Sequence, residues 1–141
     1  MVTSYPAVSY PIHYRHTIAL VGSTEHATRV NIGADSGVDV TIVTATRSAG
    51  DLTNAMLVIA AYETNAPNGS ILYKIKQAGT TLASETIAGI ASTPFLYHTL
   101  HALFLPASTS SIAYTLTMSP ATSGANNLVR EATIRVVEVT I

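Results

Sequence analysis

The last fourteen residues, 128–141, read LVREATIRVVEVTI, and what they permit constrains everything before them. The stretch is β-branched and apolar, without Gly or Pro, so it reads as a strand. Up to Val136 its apolar side chains fall on even positions (Ala132, Ile134, Val136). After that they fall on odd ones (Val137, Val139, Ile141). Side chains alternate faces along a strand, so the change of parity predicts a bulge or a change of sheet partner near Val136–Val137. A strand this apolar invites aggregation at an open edge. It is therefore expected inside a sheet, or under a neighbouring subunit.

The rest of the chain repeats the theme. His16–Val21 reads as a first strand, Gly22–His26 as a turn, and Thr28–Ile32 as a second short strand. Asp35-Ser36-Gly37 is a turn signal. Val38–Thr46 alternates, with Val38, Val40 and Ile42 inward and Asp39 and Thr41 outward. Arg47–Thr53 reads as a loop. Ala55–Tyr62 is apolar on both faces, which predicts a central strand covered on both sides. Asn68-Gly69 suits a tight hairpin, and Ser70–Gln77 follows with Ile71, Tyr73 and Ile75 on one face. Ala78-Gly79 turns into Thr80–Ile87. Phe95–Leu105 places Phe95, Tyr97, His101 and Leu103 on one side. Ile112–Met118 sets Ile112, Tyr114, Leu116 and Met118 against Ala113, Thr115 and Thr117, and Ser119–Asn127 is a loop. Apolar residues nowhere recur at helical spacing. Eight to nine strands at roughly ten-residue intervals predict an all-β domain over residues 16–141, an antiparallel β-sandwich or barrel, of which the sandwich is the expected form.

Residues 1–15 read differently. Tyr5-Pro6 and Tyr10-Pro11 impose extended geometry and remove two backbone donors. With Ile12 and Tyr14 they describe an extended N-terminal arm, which the tyrosines are expected to anchor on a neighbouring subunit or binding surface. The start of the chain does not read as a signal peptide, and the apolar runs fall short of the about 20 residues a bilayer requires.

Composition narrows the function classes. Only 11% of the 141 residues are charged, against about 25% in ordinary domains. The net charge is −1 and the seven basic residues are scattered, which argues against nucleic acid. The chain has no cysteine, so no disulfide framework or thiolate metal site. His13 with His16, and His98 with His101, stand three apart, which on a strand points each pair to opposite faces rather than to one metal. Asp35, Asp39 and Asp51 lack calcium-loop spacing. Glu25, Glu63, Glu85, Glu131 and Glu138 are spread over separate elements, and nothing selects a catalytic pair among them. No nucleophile elbow or phosphate-cradling loop occurs. Tyr73, Tyr97 and Tyr114 fall on apolar faces and are expected in the core. No enzyme activity, metal or cofactor is expected.

One layout in the last third is familiar. A strand ends in Pro106-Ala-Ser-Thr-Ser, Ile-Ala-Tyr-Thr-Leu follows at 112–116, then a Gly/Asn loop at Gly124–Asn127 and Ala-Thr-Ile-Arg-Val-Val-Glu-Val at 132–139. It resembles the final strands of jelly-roll domains on phage and viral surfaces, in capsid decoration proteins and tail-fibre heads, and more broadly the TNF- and C1q-like sandwiches. The resemblance implies a jelly roll, a homotrimer, and a virion structural protein that binds the major capsid protein and stabilises the shell at the capsid surface. The short arm in place of a stalk favours a decoration (cement) protein. The alternative is a glycan- or receptor-binding fibre head, with loops near Arg47–Asn54 or Ser119–Asn127 as the binding region, and the third is a small β-sandwich enzyme.

Overall fold

The computed structural model describes residues 18–26, 30–31, 37–50, 54–65, 69–88, 95–121 and 128–139. The arm drawn over residues 1–15, with Tyr5, Pro6, Tyr10, Pro11, Ile12 and Tyr14, lies outside them. So do His13, His16, Asp35 and Asp51. The strands among the described residues are, in chain order, β1 (Ile18–His26), β2 (Val30–Asn31), β3 (Val40–Arg47), β4 (Ala55–Asn65), β5 (Ile71–Gln77), β6 (Thr80–Ile87), β7 (Leu96–Phe104), β8 (Ile112–Pro120) and β9 (Leu128–Val139).

They form two antiparallel sheets. The five-stranded sheet runs β1-β9-β4-β7, with β2 beside β9, and the four-stranded sheet runs β3-β8-β5-β6. From β2 onward the chain changes sheet at every connection except β5 to β6. That strand order is the double Greek key of a jelly roll. The expected all-β sandwich is therefore what the chain forms, and β9 is an interior strand, as its apolar composition requires.

Alternation fills the space between the sheets. Met56, Val58, Ala60 and Tyr62 from β4, and Val129, Ala132, Ile134 and Val136 from β9, meet Ile71, Tyr73 and Ile75 from β5 and Tyr114, Leu116 and Met118 from β8. All of these side chains are fully buried. Tyr73 and Tyr114 are core residues as expected.

Several local expectations are corrected. Asn68-Gly69 does not close a hairpin, because β4 and β5 lie in different sheets and that segment carries the chain between them. The tight hairpin is Ala78-Gly79 between β5 and β6, where both residues have positive φ (46° and 89°), as a type I′ turn demands. Gly22–His26 is not a turn but the second half of β1, which passes Val136–Val137 of β9 with a register shift between Leu20 and Gly22. The irregularity expected at Val136–Val137 thus sits on the partner strand. β9 has its own parity break earlier: Glu131 has φ 50° and the register against β4 slips between Ala61 and Glu63. In β3 the slip lies between Thr41 and Val43, so both Ile42 and Val43 are buried and Val38, expected inward, is exposed.

Candidate functional site

The outer face of the five-stranded sheet holds an ordered set of side chains, and the antiparallel register fixes their neighbours. Leu20 on β1 stands opposite Val137 on β9, Val137 opposite Leu57 on β4, and Leu57 opposite Leu103 on β7. These four form an aliphatic row across β1, β9, β4 and β7. At about 4.8 Å per strand the row is roughly 15 Å long. Leu20 is 60% exposed and Leu103 68%, with Leu105, 64% exposed, just beyond β7. Ala55 and Val139, paired to each other, are half-buried beside the row. The sequence predicted cover on both faces of Ala55–Tyr62. One face is in the core; Leu57, Ile59 and Ala61 on the other are half-buried, and no strand among the described residues forms a layer above them.

Moving along the strands, the next outward row is His101, Ile59 and Arg135, with His101 and Arg135 exposed. Then comes a row of small side chains, Thr99, Ala61 and Thr133, and after it Tyr97, Glu63 and Arg130. Tyr97, expected in the core, is 66% exposed. It shares the apolar parity of β7, but that parity faces outward. Arg130 bonds Glu63 (Nε to Oε2, 2.6 Å), and its guanidinium lies 3.9 Å from the centre of the Phe95 ring.

Inside the sandwich, two polar clusters mark opposite ends. At one end the rings of Tyr73, Tyr62 and His98 stack, with centroids 4.2 Å and 6.0 Å apart. Glu85, turned inward from edge strand β6, accepts a hydrogen bond from the Tyr62 hydroxyl at 3.4 Å and lies 3.5 Å from His98 Nδ1. Thr64 and Tyr73 share a short hydroxyl–hydroxyl bond. Burial pushes the Tyr62 and Tyr73 hydroxyls well above their ordinary pKa of 10, the Glu85 charge adding to the effect.

At the other end Arg47 is fully buried. Its Nη1 donates to the Ser108 carbonyl at 3.0 Å, while Nε and Nη2 have no hydrogen-bond partner. The Tyr114 hydroxyl is also buried without one; burial raises its pKa and the nearby Arg47 charge offsets part of that rise. Ser111 donates to the Arg47 carbonyl at 2.9 Å, and Asn54 to Glu138 at 3.0 Å. Arg47, expected in a loop open to ligands, is a structural residue at the end of β3. On the outer face of the same four-stranded sheet Asp39 accepts from Lys74 and Lys76, both at 2.8 Å, and those two bonds hold its pKa below the ordinary 3.8.

Among the described residues no group of three or more His, Asp or Glu side chains is placed to hold a metal ion. Within β7, His98 points inward and His101, exposed, points outward. None of the signals in single strands disclosed the two-zone outer face, because it exists only once four strands are in register.

No family model matches the chain, and no curated protein does. A chain in the structure of the infectious bursal disease virus Gx strain is similar over 98% of this chain and 36% of its own, at 12% identity and TM-score 0.47. An arabinose-bound α-L-arabinofuranosidase is similar over 90% of this chain and 23% of its own, at 17% identity and TM-score 0.43. This chain thus spans about a third of the first and about a quarter of the second. Likenesses this distant transfer neither partner nor activity. The class that the strand order itself defines is a jelly-roll sandwich with an amphipathic outer face.

Proposed function

We propose that this is a non-enzymatic virion surface protein, a homotrimer that decorates a phage-like capsid and stabilises the shell, with residues 1–15 adding contacts to the shell or a neighbouring copy. The aliphatic row Leu20–Val137–Leu57–Leu103 carries the reading. A contiguous apolar surface supports reading this face as one that meets a partner. Covering Leu20, Leu103 and Leu105 contributes roughly 1–2 kcal/mol each at their exposure. In a cyclic trimer each interface holds one copy of the row, so these side chains supply about 3–6 kcal/mol per interface toward an association cost of about 4–15 kcal/mol. The low charge of the chain supports packing against copies of itself, since few charged groups must be desolvated.

Light scattering behind size exclusion at low micromolar concentration tests this. The expected mass is three times that of the 14.8 kDa chain. A monodisperse monomer overturns the assembly.

A further inference from the structure

The small-residue row on the same face is a trench. Its floor is Thr99, Ala61 and Thr133, adjacent across β7, β4 and β9. One wall is Tyr97, Glu63 and Arg130; the other is His101, Ile59 and Arg135. Outward residues repeat every second position, so the walls stand about 13–14 Å apart, centre to centre, and the floor crosses three strands in about 10 Å. Allowing for the wall side chains, the opening is one sugar ring wide and two or three long.

We propose that this trench binds an oligosaccharide, with a pyranose face against the exposed Tyr97 ring. A pyranose is apolar on its C–H faces and hydroxylated at its rim, and the trench offers the matching surfaces in the matching order. Tyr97 supplies a flat apolar ring at low conformational cost. The floor hydroxyls of Thr99 and Thr133 both donate and accept. The wall beside Tyr97 pairs a carboxylate acceptor with a guanidinium donor, already fixed to each other by the Glu63–Arg130 bond and braced by Phe95. Vicinal hydroxyls are recognised by such adjacent donors and acceptors.

Other occupants match less well. An extended peptide pairs through backbone groups along a sheet edge, whereas the trench runs across the strands: β4 and β9 are bonded on both sides, and only β7, at one end of the floor, has a free edge. A nucleic acid needs a basic field, and the chain is at −1. A second copy is served by the aliphatic row, two rows away. The inference goes beyond the assembly proposed above and does not depend on it.

The full chain, fluorescently labelled, is applied to an array of defined neutral and carboxylate-bearing oligosaccharides. The strongest hit is then titrated by calorimetry. Binding is expected to weaken roughly tenfold in Tyr97→Ala, to survive in Tyr97→Trp, and to be lost in Ala61→Leu, which fills the floor. Unchanged circular dichroism and melting temperature in each variant exclude a folding defect. Neutral and acidic hits alike sustain the trench, and the array identifies which class it takes. An array without signal, or a titration that Tyr97→Ala leaves unchanged, overturns it. Because mass is read separately, a trimer without sugar binding fails only this inference, and a sugar-binding monomer fails only the assembly.

Discussion

A β-carbon added to Gly50 would sit 2.3 Å from Nη2 of Arg47 and 3.0 Å from Glu138 Oε1. Arg47 has no room to yield, being fully buried with Nη1 committed to Ser108. Gly50→Ala is therefore expected to destabilise the fold by about 1–3 kcal/mol, the usual cost of overpacking. In an Arg47→Met background the penalty should largely vanish, which a double-mutant cycle by urea denaturation measures. A second expectation concerns the buried tyrosines. Tyr62, Tyr73 and Tyr114 hold their protons in the fold at pH values where an unfolded tyrosine, near 10, gives its proton up. The unfolded state then binds fewer protons than the native state, so stability falls as pH rises above 10, by up to about 1.4 kcal/mol per pH unit for each tyrosine. Melting temperature should be insensitive to these groups below pH 10. Above it, their ionisation, followed by tyrosinate absorbance, should coincide with unfolding.

At the scale of the element, β9 shows what the sequence discloses and what it withholds. Its β-character and interior position are legible, because a long β-branched run cannot be left at an edge. Its phase is only partly legible. Val129 and Ala132 both face the core, and the odd number of steps between them is absorbed at Glu131 in left-handed geometry. Nothing about a glutamate announces that conformation. Glu131→Gly should be neutral or stabilise by up to about 1 kcal/mol, since it removes the left-handed penalty at some cost in chain entropy. Glu131→Val should lose about 1–2 kcal/mol. Thermal melts of the two variants distinguish them. The Asn68-Gly69 turn failed as a hairpin signal for a related reason: turn chemistry fixes a reversal but not which sheet the next strand joins. Tyr97 shows the same limit. Parity groups Tyr97 with Leu103, and only the opposing sheet decides that both face outward.

For the whole molecule, sheet order explains how one face comes to hold two kinds of surface. The strands of the five-stranded sheet come from the beginning, middle and end of the chain, so the aliphatic row joins Leu20 to Val137 and the trench joins Ile59 to Arg135, residues far apart in the chain. Changing the row should alter association but not folding: Leu103→Lys, on an edge strand and 68% exposed, is expected to yield a stable monomer by light scattering, with a melting temperature near that of the dissociated parent. The pairing of β1 with β9 has a mechanical consequence. Ile18 lies opposite Val139, so the outermost ends of these two strands are side by side. Tension applied between them loads the ladder one rung at a time, opening it like a zip instead of shearing all its bonds together. A sandwich built this way resists force delivered across its faces far better than force delivered through the outer ends of β1 and β9, so its strength lies in where it is held.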